Sequence, residues 1–303
     1  MIRKDLITVE LSGKRLDDSV TLLFAGISKS EARRIIDRGG CAVNSTMVRV
    51  ASRIIKSGDT IEIGVMEQGR FSELTLPEEA ILYEDSDLIA VNKPAGINSQ
   101  RTPYQLKGTL EFWVAEYFRM HGINEPARVI HRLDRGTSGV MVFPKHKKAA
   151  AWLSARFHDG AARKLYLALV SHRPANEQWV VDAPIGKSGK SHYAIVAGGR
   201  AAQTRFRLLA ANTECALLEA APITGRTHQI RVHLAENGMP IIGDTSYDGA
   251  PATRMMLHCS ELAFTNDSGV DISLKAPLDG AYKEFMSEKG LFVGHPELLQ
   301  NFK

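Results

Sequence analysis

The densest group of reactive side chains in this 303-residue chain lies in RVIHRLDRGTSGVMVFPK, residues 128–145. His131, Arg132, Asp134 and Arg135 sit in a polar, Gly-containing loop, and the apolar segments on either side predict two strands holding that loop on a rigid platform. A carboxylate between two guanidiniums has its charged form favoured, so Asp134 is expected to be ionised at neutral pH, as a nucleophile or general base must be. On this spacing alone, a plain turn whose aspartate bonds its own backbone is the simpler reading, because Asp, Gly, Thr and Ser all form turns.

A second cluster is PITGRTHQIRVHLAENGMPIIGD, residues 222–244. Thr227 is placed to cap a helix over 227–237 that ends at Gly238, with His228 and Arg231 three positions apart on one face. His228 and His233 invite a metal reading. Five positions turn a helix through about 140°, however, so one ion would hardly reach both. An Arg and His face suits a phosphate or a carboxylate partner better, or is simply solvated. In KLYLALV, residues 164–170, alternation puts Tyr166 on the face opposite Leu165, Leu167 and Leu169, where core packing is the ordinary role for an aromatic.

The elements that must hold these groups can be read from periodicity. Near the N-terminus, Ser28 and Glu31 form a capping-box pattern, Ala32, Ile35 and Ile36 share a helical face, and Gly39-Gly40 supplies a stop. Lys29, Arg33, Arg34 and Arg38 project from the other side. Short strands are expected at Cys41–Asn44 and Met47–Val50, followed by a strand after the Ser57-Gly58-Asp59 turn. Residues 1–65 form one small unit, 66–77 a linker and 78–303 a larger domain. The latter has strands at Leu88–Val91, Gly139–Phe143, Lys164–Val170, Gln203–Leu209 and Ala216–Ala221, and a helix at Lys147–Phe157. Strands outnumber helices without strict alternation, which predicts an α+β fold with a mainly antiparallel mixed sheet behind a small α/β domain.

Composition bounds the classes available. The net charge is +4, and residues 1–65 carry eleven Lys and Arg against eight Asp and Glu, so most of the excess sits there. That is a mild basic bias, compatible with a polyanionic partner. A hydrophobic share of 44% excludes a disordered chain. No apolar run suits a membrane span and no leader is evident, and Cys41, Cys215 and Cys259 are too few and too scattered for a disulfide framework or a thiolate metal site. A cytoplasmic protein with reduced thiols is expected.

Taken in order, YEDSDLIAVNKPAG (83–96), HRLDRGTSGVMVFPK (131–145), KLYLALV (164–170), ITGRTHQIRVHLAENGMPIIGD (223–244), LHCSELAF (257–264) and LKAPL (274–278) resemble the RluA-type pseudouridine synthases. Residues 13–65 resemble the small RNA-binding domain of the ribosomal-protein-S-four type. The sequence departs from the family pattern at Gly136, at Ile97-Asn98-Ser99-Gln100 and at Gly160-Ala161-Ala162.

The resemblance implies an RNA uridine isomerase. Asp134 matches the catalytic aspartate, Tyr166 the aromatic that packs on the target base, and Arg231 the arginine that pairs with the aspartate. Arg132 matches the arginine that replaces the flipped uridine in the stack, and Arg226 lies nearby. Asp134 would either attack the anomeric carbon or take a proton from the adjacent ribose carbon to give a glycal. Unstacking the base costs a few kcal/mol, which an inserted side chain offsets. The isomerisation is redox-neutral, so neither cofactor nor metal is expected. Lys29, Arg33, Arg34 and Arg38 would contact RNA phosphates. The implied substrate is ribosomal RNA, with transfer RNA as the other choice, acted on by a monomer. The alternative is a noncatalytic RNA-binding or ribosome-assembly factor on the same fold.

Overall fold

The computed structural model describes residues 2–37, 41–44, 46–48, 50–64, 76–101, 108–189 and 192–291. These form two compact units. The first holds the described residues up to position 75 together with those of Gln100–Tyr117, and the second those of Leu76–Ser99 and from Phe118 onward.

In the first unit, β1 (Ile2–Leu6), α1 (Leu16–Leu23), α2 (Lys29–Asp37), β2 (Cys41–Val43), β3 (Thr46–Met47) and β4 (Thr60–Gly64) follow one another. The sheet order is β1-β4-β2-β3, antiparallel throughout. The capping expectation holds: the Glu31 amide donates to Ser28 Oγ at 3.2 Å. Ala32, Ile35 and Ile36 pack with Leu16, Val20, Ile55, Ile61 and Ile63 in one apolar core. The strand expected at 47–50 is shifted, because Thr46 and Met47 pair with Val43 and Ala42. Gly39-Gly40 and most of the expected linker lie outside the described residues.

The second unit contains β5 (Ile81–Glu84), β6 (Leu88–Lys93), β7 (Ser138–Pro144), α4 (Lys147–His158), β8 (Arg163–Val170), β9 (Gln178–Asp182), β10 (Ile185–Lys187), β11 (Tyr193–Ile195), β12 (Gln203–Ala211), β13 (Ala216–Pro222), α5 (Gln229–Glu236), β14 (Leu257–Thr265), β15 (Asp271–Lys275) and α6 (Gly280–Glu288). The remaining helix, α3 (Leu110–Met120), spans the division between the units. Among the described residues, nine strands form one sheet in the order β5-β6-β7-β14-β8-β13-β12-β9, with β15 on β14. Among the described strand pairs, only β7 and β14 run parallel, so the fold is α+β with a mixed, mainly antiparallel sheet.

Strand β7 lies at the centre and is buried at every position, which is why SGVMVFP is apolar without alternation. β12, nearer the edge, begins with alternating buried and exposed residues. Leu153 and Ala149 of α4 are buried, and Leu153 packs with Leu88, Val140, Val142 and Leu262 from the sheet.

Two local expectations are corrected. The segment before His131 is not a strand, so Asp134 is not framed by two strands in sequence. The helix of the second cluster begins at Gln229 with His228 as its cap residue, so Thr227 does not cap it.

Candidate active site

Register brings the two key strands together. Gly139 has φ +116°, a conformation that L side chains rarely adopt, and it lies opposite Cys259 of β14. A Cβ at Gly139 would sit 2.1 Å from the Cys259 carbonyl oxygen. The missing side chain therefore lets β7 close onto β14. On its other edge β14 pairs with β8, where Cys259 faces Tyr166. The loop ahead of β7 holds Asp134, and β8 holds Tyr166.

That loop is fixed by hydrogen bonds to the segment after β6. Lys93 is fully buried, and its ammonium donates to the carbonyls of Pro94 (2.9 Å), Ile97 (2.8 Å) and Arg135 (3.3 Å). Burial and then the charge of Arg254 pull its pKa down to about 7. Ser99 Oγ donates to the Leu133 carbonyl at 2.5 Å and lies 3.0 Å from the Leu133 amide, while Arg135 Nε and the Gly96 carbonyl pair at 2.9 Å. The residues on both sides of Asp134 are thus tied down, Leu133 by Ser99 and Arg135 by Lys93 and Gly96. Ser99 belongs to the stretch that departs from the family pattern, and it does structural work there. At Gly136, another departure, a Cβ would lie 3.2 Å from Met255.

Asp134 Oδ2 accepts from Arg231 Nη1 at 3.0 Å. The rest of that guanidinium is engaged by Asp244: Nε donates to Oδ2 at 2.7 Å and Nη2 to Oδ1 at 2.8 Å. Arg231 is 8% exposed, and Tyr247 lies under its plane at 4.8 Å. Burial opposes its charge, but the hydrogen bonds and charges of Asp244 and then Asp134 hold its pKa above the usual value. One buried cation between two carboxylates fixes both its own fork and the carboxylate it shares with the loop. Among the described residues, Asp134 Oδ1 accepts no hydrogen bond.

Tyr166 is buried on β8. Desolvation first, then Cys259 and the Asp134 carboxylate, push its hydroxyl well above the ordinary tyrosine value. Its phenol is neutral across the physiological range, suited to packing or proton donation and not to anionic chemistry.

The other expected residues are spread more widely. Arg132 is exposed and donates to Thr227 Oγ1 at 3.2 Å, leaving Asp134 to Arg231. Arg226 turns away, its Nε on the Ala201 carbonyl at 2.9 Å. His131 is a core residue: its ring stacks on Phe157 at 4.3 Å, Nε2 accepts from the Val142 amide, and burial pushes its pKa down to about 3. The two histidines of the second cluster part company. His233 is buried between Thr204 Oγ1 and the Ala183 carbonyl, whereas His228 Nε2 lies 3.8 Å from Asp134 Oδ2. Among the described residues, no group of three or more His, Cys, Asp or Glu is placed to hold a metal ion.

In the first unit, the two described side chains of the expected basic face are already paired. Lys29 Nζ lies 2.6 Å from Asp18, and Arg33 Nε donates to the buried Asp17 at 2.8 Å, which Arg15 also contacts. The side chains of Arg34 and Arg38 lie outside the described residues. Sequence reasoning missed Asp17, Asp244, Tyr247, Lys93 and Ser99. Asp244 stands at the end of the second cluster, but thirteen residues of chain give no cue that it meets Arg231.

The second unit thus carries a guanidinium-held aspartate and a buried tyrosine at one mixed sheet, and the small mixed α/β module precedes it in the sequence. Residues 87–236 match the family described as RNA pseudouridylate synthase, and residues 14–61 match the S4 domain. Ribosomal large subunit pseudouridine synthase C of Vibrio cholerae is 31% identical over 93% of this chain and 95% of that protein. A Bacillus subtilis protein named as an uncharacterized RNA pseudouridine synthase is 34% identical, covering 69% of this chain and 72% of its own. Among solved structures, human RNA pseudouridylate synthase domain containing 4 superposes with a TM-score of 0.61 at 26% identity, over 70% of this chain and 93% of that one. The chain belongs to the RNA pseudouridylate synthase family. It is accordingly an isomerase acting on RNA.

Proposed function

We propose that this protein isomerises uridine to pseudouridine in large-subunit ribosomal RNA, with Asp134 as the reacting carboxylate. The observation that carries this is the contact of Asp134 with a buried Arg231 that Asp244 orients from behind. Arg231 fixes one oxygen of Asp134, which favours attack by, or proton transfer to, the other. Breaking the bond from base nitrogen to ribose, turning the uracil and rejoining it through carbon five needs no external electron donor. Tyr166, buried on β8 across β14 from β7, would hold the detached base, a contact typically worth about 1–3 kcal/mol. The exposed Arg132, at the edge of the same loop, would fill the gap in the RNA stack, and Arg226, whose Nε is held by the Ala201 carbonyl, would contact phosphate through its remaining N–H groups.

Residues 1–65 would serve as an RNA-binding module, joined through 66–77 to a catalytic domain over 78–303. Lys29 and Arg33 would contact phosphate only in competition with Asp18 and Asp17, and Arg34 and Arg38 would share that task. The ribosomal target is favoured by the similarity to proteins named for the large ribosomal subunit. A monomer acting in the cytoplasm fits this task, and no described helix is long and apolar enough to cross a membrane.

The test is to map pseudouridine across cellular RNA in strains with and without the gene. Loss of the modification at one or a few large-subunit positions is expected. Loss confined to transfer RNA would overturn the ribosomal assignment.

A further inference from the structure

His228 is the residue that the mechanism above leaves unused, and three independent features converge on it. Its backbone is left-handed, φ 56° and ψ 20°, at the cap of α5, where a non-glycine residue costs strain. Its side chain makes no capping hydrogen bond, so the strain is not repaid by the helix. What this conformation achieves is placement: Nε2 lies 3.8 Å from Asp134 Oδ2, and Nδ1 lies 2.9 Å from the Tyr247 hydroxyl.

The partners decide the tautomer. Tyr247 Oη accepts from the Tyr193 amide at 3.2 Å and keeps its own proton free for His228 Nδ1, the arrangement that the Asp134 carboxylate favours by drawing the imidazole proton to Nε2. An imidazole that accepts at Nδ1 carries its proton on Nε2, the nitrogen facing Asp134. Tyr193 and Tyr247 both meet the imidazole edge to face, at 5.5 and 5.6 Å between ring centroids, and hold its plane.

We propose that His228 is a positioning residue for Asp134: neutral and donating from Nε2 to Oδ2, it works with Arg231 to reserve Oδ1 as the oxygen that meets the ribose. This rests on Asp134 being the reacting carboxylate. A contact of 3.8 Å becomes a hydrogen bond after a shift of about 1 Å, the tightening that catalytic contacts commonly undergo when substrate binds. The charged groups around the ring are Asp134 and Asp244, which favour its protonation, and Arg231 and His192, which oppose it. Burial is the largest influence, and the net direction is downward from the ordinary histidine value. His228 is therefore neutral at pH 7. Protonation would place a second full positive charge beside Oδ2, lower the basicity of Asp134 and slow the reaction.

Release of tritium from carbon five of uracil in RNA is followed from pH 5 to pH 8, with folding of each variant checked by thermal melting. His228→Ala is expected to lower kcat by about tenfold or more with little change in KM, the value of one hydrogen bond to a charged group. His228→Gln supplies a donor near Nε2 that does not titrate, and should recover much of that loss. Tyr247→Phe removes the donor that stabilises neutral imidazole, so its acid limb should lie at higher pH than that of wild type. In the Tyr247→Phe, His228→Gln double variant that limb should vanish. A merely structural histidine would leave the limbs of wild type and Tyr247→Phe coincident, and that result overturns the proposal. Wild-type kcat in a folded His228→Ala variant also overturns it. In both cases an inactive Asp134→Asn control leaves the catalytic assignment standing, whereas an active control removes that assignment and this inference together.

Discussion

Replacing Asp244 by Asn leaves the shape of the side chain almost unchanged and removes the charge behind Arg231. Two charge-assisted hydrogen bonds, at 2.7 and 2.8 Å, meet a carboxylate that is 3% exposed. Hydrogen bonds to charged groups contribute about 1.5–3 kcal/mol each, and an amide can recover only one, more weakly, while turning a donor toward a guanidinium N–H. Arg231 keeps Asp134 as a counter-charge, so the loss is smaller than for a buried cation left alone. The expected destabilisation is about 2–4 kcal/mol, which in a domain of this size lowers the Tm by roughly 5–15 °C. Activity should fall further than stability. A guanidinium displaced by about 1 Å no longer fixes Asp134, and misplacements of that size cost about a hundredfold in rate. KM for RNA should change little, because phosphate contacts dominate affinity. Thermal melting and tritium release on the same preparations decide the matter. A Tm within about 2 °C of wild type, together with kcat within about twofold, would refute the reasoning that Asp244 orients Arg231.

Other perturbations read other parts of the structure. Gly139→Ala forces a Cβ into the Cys259 carbonyl, so the β7–β14 pairing should fail at a cost of about 3 kcal/mol or more; an unchanged melting curve would contradict the close approach. Arg33→Ala should destabilise the first unit by about 1 kcal/mol and reduce the salt slope of RNA binding by less than one full phosphate contact, because Arg33 already serves Asp17; a full-unit change in slope with no loss of stability would reverse that ranking. Asp17 is held well below the usual carboxylate range, chiefly by the Arg15 hydrogen bond against burial and with Arg33 adding. A depressed folded pKa gives stability that is present above about pH 4 and lost as pH falls below it, so denaturant melts of Asp17→Asn should show a flatter acid dependence than wild type. Parallel acid profiles would show that Asp17 carries no linked proton.

The sequence made the local parts of this molecule legible and left the long-range parts dark. The Ser28 cap, the buried Ala32-Ile35-Ile36 stripe and the strands over 164–170 and 216–221 depend on neighbours a few residues apart, and periodicity reports such neighbours directly. The expectation of two strands flanking Asp134 rests on the apolar Val129 and Ile130 before His131. Those residues instead lead into a loop stitched by Lys93 and Ser99, which stand some forty residues earlier. The approach of Asp134 and Arg231 followed only from family resemblance, since 97 residues of chain separate them. The counter-charges of Lys29 and Arg33, Asp18 and Asp17, stand on α1 and not on α2, so the charge pattern of one helix does not reveal them. Helix geometry argues against His228 and His233 sharing a metal, but His228 in fact sits just before the helix, in a left-handed conformation that helical periodicity does not anticipate.

The central claim is that Asp134 carries the reaction, and Asp134→Asn tests it most directly. The variant keeps the side-chain shape and the loop's backbone bonds but lacks the ionised oxygen that either attack or proton removal requires. The substrate is tritium-labelled RNA from a strain lacking the gene, with wild type as the positive control and RNA binding measured on the same samples. The account predicts a folded protein that binds RNA and releases no tritium. Release at a rate near that of wild type would contradict it, because another residue would then be doing the chemistry.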